Sequence, residues 1–345
     1  MKAIVKKSRG KGLEMVEVPE PTSPAPDEVI IKVKRVSICG SDVHIYDWDP
    51  WASSRIVPPR IIGHELAGEI VEKGDRVEGF DVGDYVAAES HIFCGHCYQC
   101  TTGRAHICEN LKILGVDVDG AFAEYLKVPA RILWRVSKEI DPEFASVMEP
   151  FGNAIHTVTV EDLTGKTVLI TGAGPIGLMA VQLARLEGAS LVIVSEIKEY
   201  RIDLALKNGA DVVLNPLEED LVKKVRKLTD GDGVDVFFEM SGNPEALIQG
   251  FEALTPGGTA AILGVFPGDV RFNLNDLLTF KGIRVFGVTG REIFQTWRIA
   301  DQLLKSGRFD MSKIVTHILD FEDWREGFEL MKSGESGKIV LKVSD

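Results

Sequence analysis

The chain has 345 residues, 45% apolar and 26% charged, a balance that excludes a disordered protein; its length exceeds what one hydrophobic core usually supports, so two domains are expected. With 39 basic and 52 acidic residues the formal net charge is -13, which repels phosphate backbones and excludes general nucleic-acid binding. No run reaches the roughly 18 apolar residues of a membrane span, and Met1 to Arg9 holds no apolar segment of signal-peptide length; a cytoplasmic protein, with no membrane partner, is expected.

Pro19 to Pro26 reads as a loop, and the alternation in Val29 to Val36 reads as a strand. The stretch Ser37 to Tyr46 then places a thiol, a hydroxyl and an imidazole close together. Cys39 can ligate a metal, while Ser41 and His44 can carry a proton from a bound alcohol toward water. The competing reading of Cys39 is a small buried hydrophobe. Gly63-His64-Glu65 adds two ligand types, and Glu149 before Pro150 adds another carboxylate; a buried hydrogen-bonding pair and a loop acid are the structural alternatives. Short runs at Ala67 to Glu72 and Asp84 to Ala88, separated by turn signals, point to a small β-rich domain of the partly closed barrel kind.

Residues 91 to 110 show neither helical nor strand periodicity and cannot build a core of their own. Four of the five cysteines fall here, at Cys94, Cys97, Cys100 and Cys108, and the spacing can close four thiolates around one tetrahedral zinc. The bacterial iron–sulfur run ends in a shorter gap followed by proline, whereas Glu109 follows here. Binding energies of roughly 10–16 kcal/mol for structural zinc are ample to order such a lobe.

After Gly165 the period changes. A short strand, Lys166 to Thr171, runs into Gly172-Ala173-Gly174-Pro175-Ile176-Gly177, which opens a helical pattern through Leu178, Val181, Leu183 and Leu186. Those glycines permit a tight turn and close approach of backbone to a pyrophosphate on the helix N-terminus. A second strand, Leu191 to Ser195, ends at Glu196, whose carboxylate can accept both ribose hydroxyls and repels a 2′-phosphate, so NAD is favoured over NADP. Alternation continues with helices Glu199 to Asn208, Glu218 to Leu228 and Pro244 to Leu254, and with strands Asp211 to Leu214, Val234 to Phe238, Thr259 to Leu263 and Ile283 to Val288. This predicts an α/β, doubly wound parallel sheet. Helical runs near Glu292 to Leu304 and Glu322 to Met331, with strands Ile314 to Leu319 and Lys338 to Val343, finish the chain.

These residues resemble the zinc-dependent medium-chain alcohol dehydrogenase family essentially end to end. The carriers are Ser37 to Tyr46, Trp48, Trp51, Gly63-His64-Glu65, the four-cysteine lobe, Gly115-Val116-Asp117, Gly120 with Phe122 to Tyr125, Glu149 to Ala154, the Gly172 turn, Thr289-Gly290-Arg291 and Thr296-Trp297. The resemblance implies a Rossmann sheet over residues 153–292 and a GroES-like catalytic domain over 1–152 and 293–345. It also implies a homotetramer, NAD, and two zinc ions per subunit. Cys39 and His64 would bind the catalytic zinc, with Glu65 and Glu149 as carboxylates that ligate it directly or exchange with water and substrate. Ser41, where members acting on threonine often have Thr, and His44 would relay the proton, directly or with the cofactor ribose between them. His91 would help shape the substrate pocket or lie on the surface. Arg201 would support the adenosine ribose beside Glu196, and Leu263 and Ile176 would line the cofactor site. Tyr46 to Trp51 and Thr289-Gly290-Arg291 point to the branch that oxidises L-threonine at C3. A polyol or 2,3-butanediol enzyme, and a non-catalytic zinc-stabilised dinucleotide-binding protein, are the alternatives.

Overall fold

A computed structural model describes residues 1–345 and divides them into two compact units. The first comprises Met1–Gly152, Gly290–Gly307 and Val315–Asp345; the second comprises Asn153–Thr289 and Arg308–Ile314. These bounds differ from the expected split in two places. Residues 290–292 belong to the first unit because Arg291 is fixed there by Glu89, Ser90 and Glu149. Residues 308–314 belong to the second because Gln182 Nε2 donates to the Asp310 carbonyl (2.9 Å), and the Asp310 amide donates to Gln182 Oε1 (3.0 Å).

In the first unit, strand Glu28–Ser37 is central to a seven-stranded sheet. It pairs antiparallel with Leu66–Lys73, Tyr125–Pro129 and Lys338–Lys342. Its alternating apolar positions, Val29, Ile31 and Val33, are fully buried in a core with Ile70, Val86, Phe122 and Ile339. A three-stranded sheet, in the order Glu14–Glu17, Lys2–Lys6, Arg60–Ile61, lies in the same unit. The C-terminal strand Lys338–Lys342 is thus an interior strand of the unit that begins at Met1.

The second unit is a six-stranded parallel sheet in the order Val212–Leu214, Leu191–Ser195, Thr167–Thr171, Val234–Glu239, Leu254–Ile262, Arg284–Gly287. The first strand of this sheet in sequence, Thr167–Thr171, lies in the middle, so chain direction switches sides between it and Val234–Glu239, the place where doubly wound sheets bind ligands. Two elements depart from the sequence reading. The strand expected from Thr259 begins at Leu254, because a register shift opposite Val234 and Val236 absorbs Pro256-Gly257-Gly258. The helix expected from Glu218 begins at Leu221, where the Asp220 side chain accepts from the Lys223 amide (3.0 Å) and supplies the cap.

Candidate active site

Beyond the central strand, Cys39 opens the eight-residue helix Gly40–Asp47. The carboxylate of Asp42 accepts the Cys39 amide at 2.9 Å, which satisfies one otherwise orphaned donor and fixes the entry of the chain. His64 and Glu65 follow Gly63, whose φ of +87° places it in the left-handed region. The Gly63 backbone is packed so closely that a Cβ on Gly115 or Gly120 would meet its carbonyl oxygen at 2.5 and 2.2 Å. Three glycines far apart in sequence therefore hold His64 and Glu65 against the thiol. One ligand atom from each of Cys39, His64 and Glu65 lies within 4.8 Å of the others.

Glu65 is fully buried, and burial raises its carboxyl pKa while the Lys338 ammonium opposes that rise. Lys338, buried in the C-terminal strand, lies 2.5 Å from its Oε2 and donates to the Ile38 carbonyl (2.9 Å), next to Cys39. Ser37 Oγ donates to the same carboxylate. Glu149, in the first turn of helix Met148–Val158, lies outside the ligand cluster. Its Oε1 accepts from Ser90 Oγ (2.7 Å) and pairs with Arg291 (2.7 Å), which also holds the buried Glu89. Trp297 Nε1 donates to Glu89 at 2.8 Å.

The site is thus rich in buried acids, with the Lys338 ammonium and the Arg291 guanidinium set among Asp42, Glu65, Glu89 and Glu149 beside the Cys39 thiol. Burial opposes protonation of His64, yet Cys39 and Asp42 outweigh it and lift the imidazole to about 10. Asp42 Oδ1 and His64 Nδ1, 3.9 Å apart, have no hydrogen-bond partner. A divalent cation held by Cys39, His64 and Glu65 fits this arrangement. It would add positive charge among these acids, and Asp42 lies on the Nδ1 side of the ring, where a carboxylate commonly stands behind a zinc-bound histidine.

Ser41 and His44 lie three residues apart on helix Gly40–Asp47, so they share a face. His44 is half exposed; its Nδ1 lies 2.6 Å from Asp49 Oδ2 and its ring meets Trp51 edge-on. His91 is buried, not on the surface, with Nδ1 3.1 Å from the His106 carbonyl; burial and the neighbouring Arg291 lower its pKa to about 4, so it stays neutral.

The four lobe cysteines converge as their spacing predicts. Sulfur separations of 3.5, 3.8 and 4.0 Å are close to the ~3.8 Å edge of a tetrahedron with zinc–sulfur bonds of about 2.3 Å. Amides of Cys94 and Asn110 donate to Cys108 Sγ at 3.3 Å. The backbone amide of His96 leads the groups that lower the Cys94 thiol to about 6, the direction metal ligation needs. Donor chemistry and geometry both fit zinc.

The dinucleotide turn also forms. A Cβ on Gly177 would meet the Gly172 carbonyl oxygen at 2.0 Å and one on Gly172 would meet Ser241 at 3.0 Å, whereas nothing lies within 4 Å of a Cβ on Gly174. Two glycines therefore serve close packing, and the third leaves open space at the N-terminus of helix Pro175–Leu186, in whose first turn Ile176 lies. Glu196 Oε2 accepts the Ala173 amide at 2.8 Å, and Oε1 accepts the amides of Ile197 and Lys198. Burial lowers the pKa of Arg201, with Glu196 opposing that shift. Leu263, expected as the last residue of its strand, lies just past the end of Leu254–Ile262 and donates its amide to the Glu239 carbonyl at 3.0 Å. These residues fit the adenosine half of a dinucleotide. Sequence reasoning missed Asp42, Asp49, Glu89 and Lys338; an acid three residues after Cys39 was the visible signal only for the first.

The alcohol dehydrogenase GroES-like domain family matches residues 25–138, and the zinc-binding dehydrogenase family matches residues 175–306. The chain is 52% identical over 344 residues to L-threonine 3-dehydrogenase of Pyrococcus horikoshii, covering 99% of each. Among solved structures, an alcohol dehydrogenase of Escherichia coli CFT073 complexed with NADH superposes with a TM-score of 0.90 at 30% identity, covering 99% of each chain. The 2R,3R-butanediol dehydrogenase of Bacillus subtilis superposes with a TM-score of 0.87 at 31% identity, again covering 99% of each.

Proposed function

The chain belongs to the zinc-binding alcohol dehydrogenase family, and from that premise we propose that it oxidises L-threonine at C3 to L-2-amino-3-oxobutanoate with NAD. The observation that carries this reading is the full-length likeness to the Pyrococcus enzyme, well above the 31% identity to the butanediol enzyme.

Cys39, His64 and Glu65 would hold a catalytic zinc, and Cys94, Cys97, Cys100 and Cys108 a structural one, giving two per chain. Zinc supplies Lewis acidity that favours ionisation of the substrate hydroxyl, and NAD accepts the hydride. The residues do the rest. Asp42 faces the Nδ1 side of His64 and acts on it through its charge. Lys338 and Ser37 orient Glu65, while Arg291 and Ser90 hold Glu149 within the same buried network, where it can exchange with Glu65 as a ligand. Ser41 Oγ accepts the hydroxyl proton and gives its own to His44, which releases it to water. Glu196 with Arg201 selects a free ribose over a 2′-phosphate, and Gly172, Gly174 and Gly177, with Ile176 and Leu263, seat the dinucleotide.

The clustering of four of the five cysteines into one metal-type site, and not into disulfide pairs, fits a reducing compartment, and we assign the enzyme to the cytoplasm. No helix is long and apolar enough to cross a membrane. Exposed Val285 and Phe286 on the edge strand Arg284–Gly287 support pairing of two copies, as one of the two contacts that a homotetramer would need. The test is NAD reduction by the zinc-loaded protein with L-threonine, L-serine, 2,3-butanediol and sorbitol in parallel. Preference for L-threonine is expected; preference for a diol or polyol would overturn the substrate and leave the metal and cofactor readings standing.

A further inference from the structure

Asp49 does more than begin a helix. One carboxylate oxygen, Oδ1, accepts the Ala52 amide at 2.8 Å and caps the short helix Pro50–Arg55. A cap needs one oxygen only. The other, Oδ2, lies 2.6 Å from His44 Nδ1. The local chain is bent to allow this: Trp48 adopts a left-handed conformation (φ 59°), and its amide donates to the His44 carbonyl at 2.9 Å, turning Asp49 back over the imidazole. Trp51 meets the ring edge-on, with centroids 6.1 Å apart. The neighbouring acid, Asp47, is engaged elsewhere, by Lys11 and Lys332 at 3.4 Å each.

An ionised carboxylate has no proton to give, so in this pair His44 Nδ1 is the donor. A neutral imidazole carries one N–H, and Nε2 is therefore the bare acceptor. We propose that Asp49 is a positioning residue for proton exit, holding His44 in the tautomer whose Nε2 can take the substrate proton; this rests on the relay through Ser41 and His44 proposed above. The proton balance is closed. Ser41 Oγ accepts one proton and passes one on, directly or through the cofactor ribose hydroxyl, to Nε2; the resulting imidazolium keeps Nδ1–H on Asp49, and Nε2 then returns its proton to water. Because the pair is partly exposed, orientation and not stability is its contribution.

The test is a double-mutant cycle with Asp49→Asn, His44→Ala and the double variant in the NAD- and zinc-loaded enzyme. Asn is a good helix cap, so the fold of Pro50–Arg55 is retained. Asp49→Asn is expected to lower kcat/KM for L-threonine about tenfold in the native background and to cost nothing further once His44 is Ala. In 15N-histidine-labelled protein the His44 signal, identified by its loss in His44→Ala, should show Nδ1 protonated and Nε2 bare, and should change tautomer in Asp49→Asn. Equal losses in both backgrounds, native activity in Asp49→Asn, or an Nε2-protonated ring in the native enzyme would overturn the role of Asp49 alone. Native activity in His44→Ala would overturn the relay, and this inference with it.

Discussion

Lys338 shows how much of this site depends on residues that touch neither metal nor substrate. Its ammonium is fully desolvated, and burial alone would drive it toward the neutral form; Glu65 and Cys39 outweigh that and raise its pKa. Removing one partner of such a buried pair leaves an unpaired charge and costs about 3–5 kcal/mol. Lys338→Met therefore has two expected outcomes: a lower unfolding temperature, and zinc affinity at the Cys39 site weakened roughly 10–100-fold, as for other groups that orient metal ligands. Competition with a chelator, with the lobe zinc as the internal control, measures the second; unchanged affinity would refute the orienting role. Glu196 carries a parallel expectation. Its carboxylate bonds the Ala173, Ile197 and Lys198 amides, so it fixes the turn, and in the cofactor site proposed above it would repel a 2′-phosphate. Glu196→Ala is expected to raise KM for NAD about tenfold and to narrow the gap between NAD and NADP, read from the two kcat/KM values.

At the scale of elements, what the sequence discloses depends on how local the cause is. The four-cysteine lobe, the glycine turn and the βα alternation were legible because spacing within a few residues determines them. Helix Gly40–Asp47, which carries Ser41 and His44, was not. Its apolar residues Val43 and Ile45 follow no helical spacing, and it forms because Asp42 caps Cys39 and Ile45 packs in the core. Strand Tyr125–Pro129 was likewise missed, since its partner Glu28–Ser37 lies nearly a hundred residues earlier and only that pairing defines it. The lobe, in contrast, should be separable from its surroundings. Few of its side chains are buried, so a zinc on the four thiolates would be what orders it. Exchanging Cys97 and Cys100 for Ser is expected to remove one zinc per chain and to speed proteolysis between residues 94 and 110 at least about tenfold, while dinucleotide binding persists. Metal analysis and limited proteolysis check this directly; an intact, protected lobe without zinc would refute it.

For the molecule as a whole, the return of the C-terminal strand into the first unit is not written in any local pattern. It follows from Lys338 finding Glu65 and from Val340 to Lys342 pairing with Arg35 to Ser37. The self-association proposed above would have an equally non-local basis. Strand Arg284–Gly287 ends the parallel sheet, so one row of its amides and carbonyls faces outward. Val285 and Phe286 on it are 45% and 39% exposed, and Phe280 before it is 77% exposed. Unprotected, such an edge invites pairing with another chain, and natural proteins usually blunt it with charge or cover it. Here only Arg284 is charged, and it pairs with Glu161. The same strand of a second copy, related by a twofold axis, would satisfy both rows at once and bury both aromatic side chains, an isologous contact that closes on itself. A second, different contact would then be needed to reach four chains. Phe286→Lys places a charge where that axis would bring two copies together, and the desolvation of two facing ammonium groups is not compensated. Light scattering on the variant is expected to show loss of the larger assembly, with L-threonine oxidation reduced only as far as the separated chains are less stable. A Phe286→Lys protein that keeps the mass of the native assembly would place the interface elsewhere.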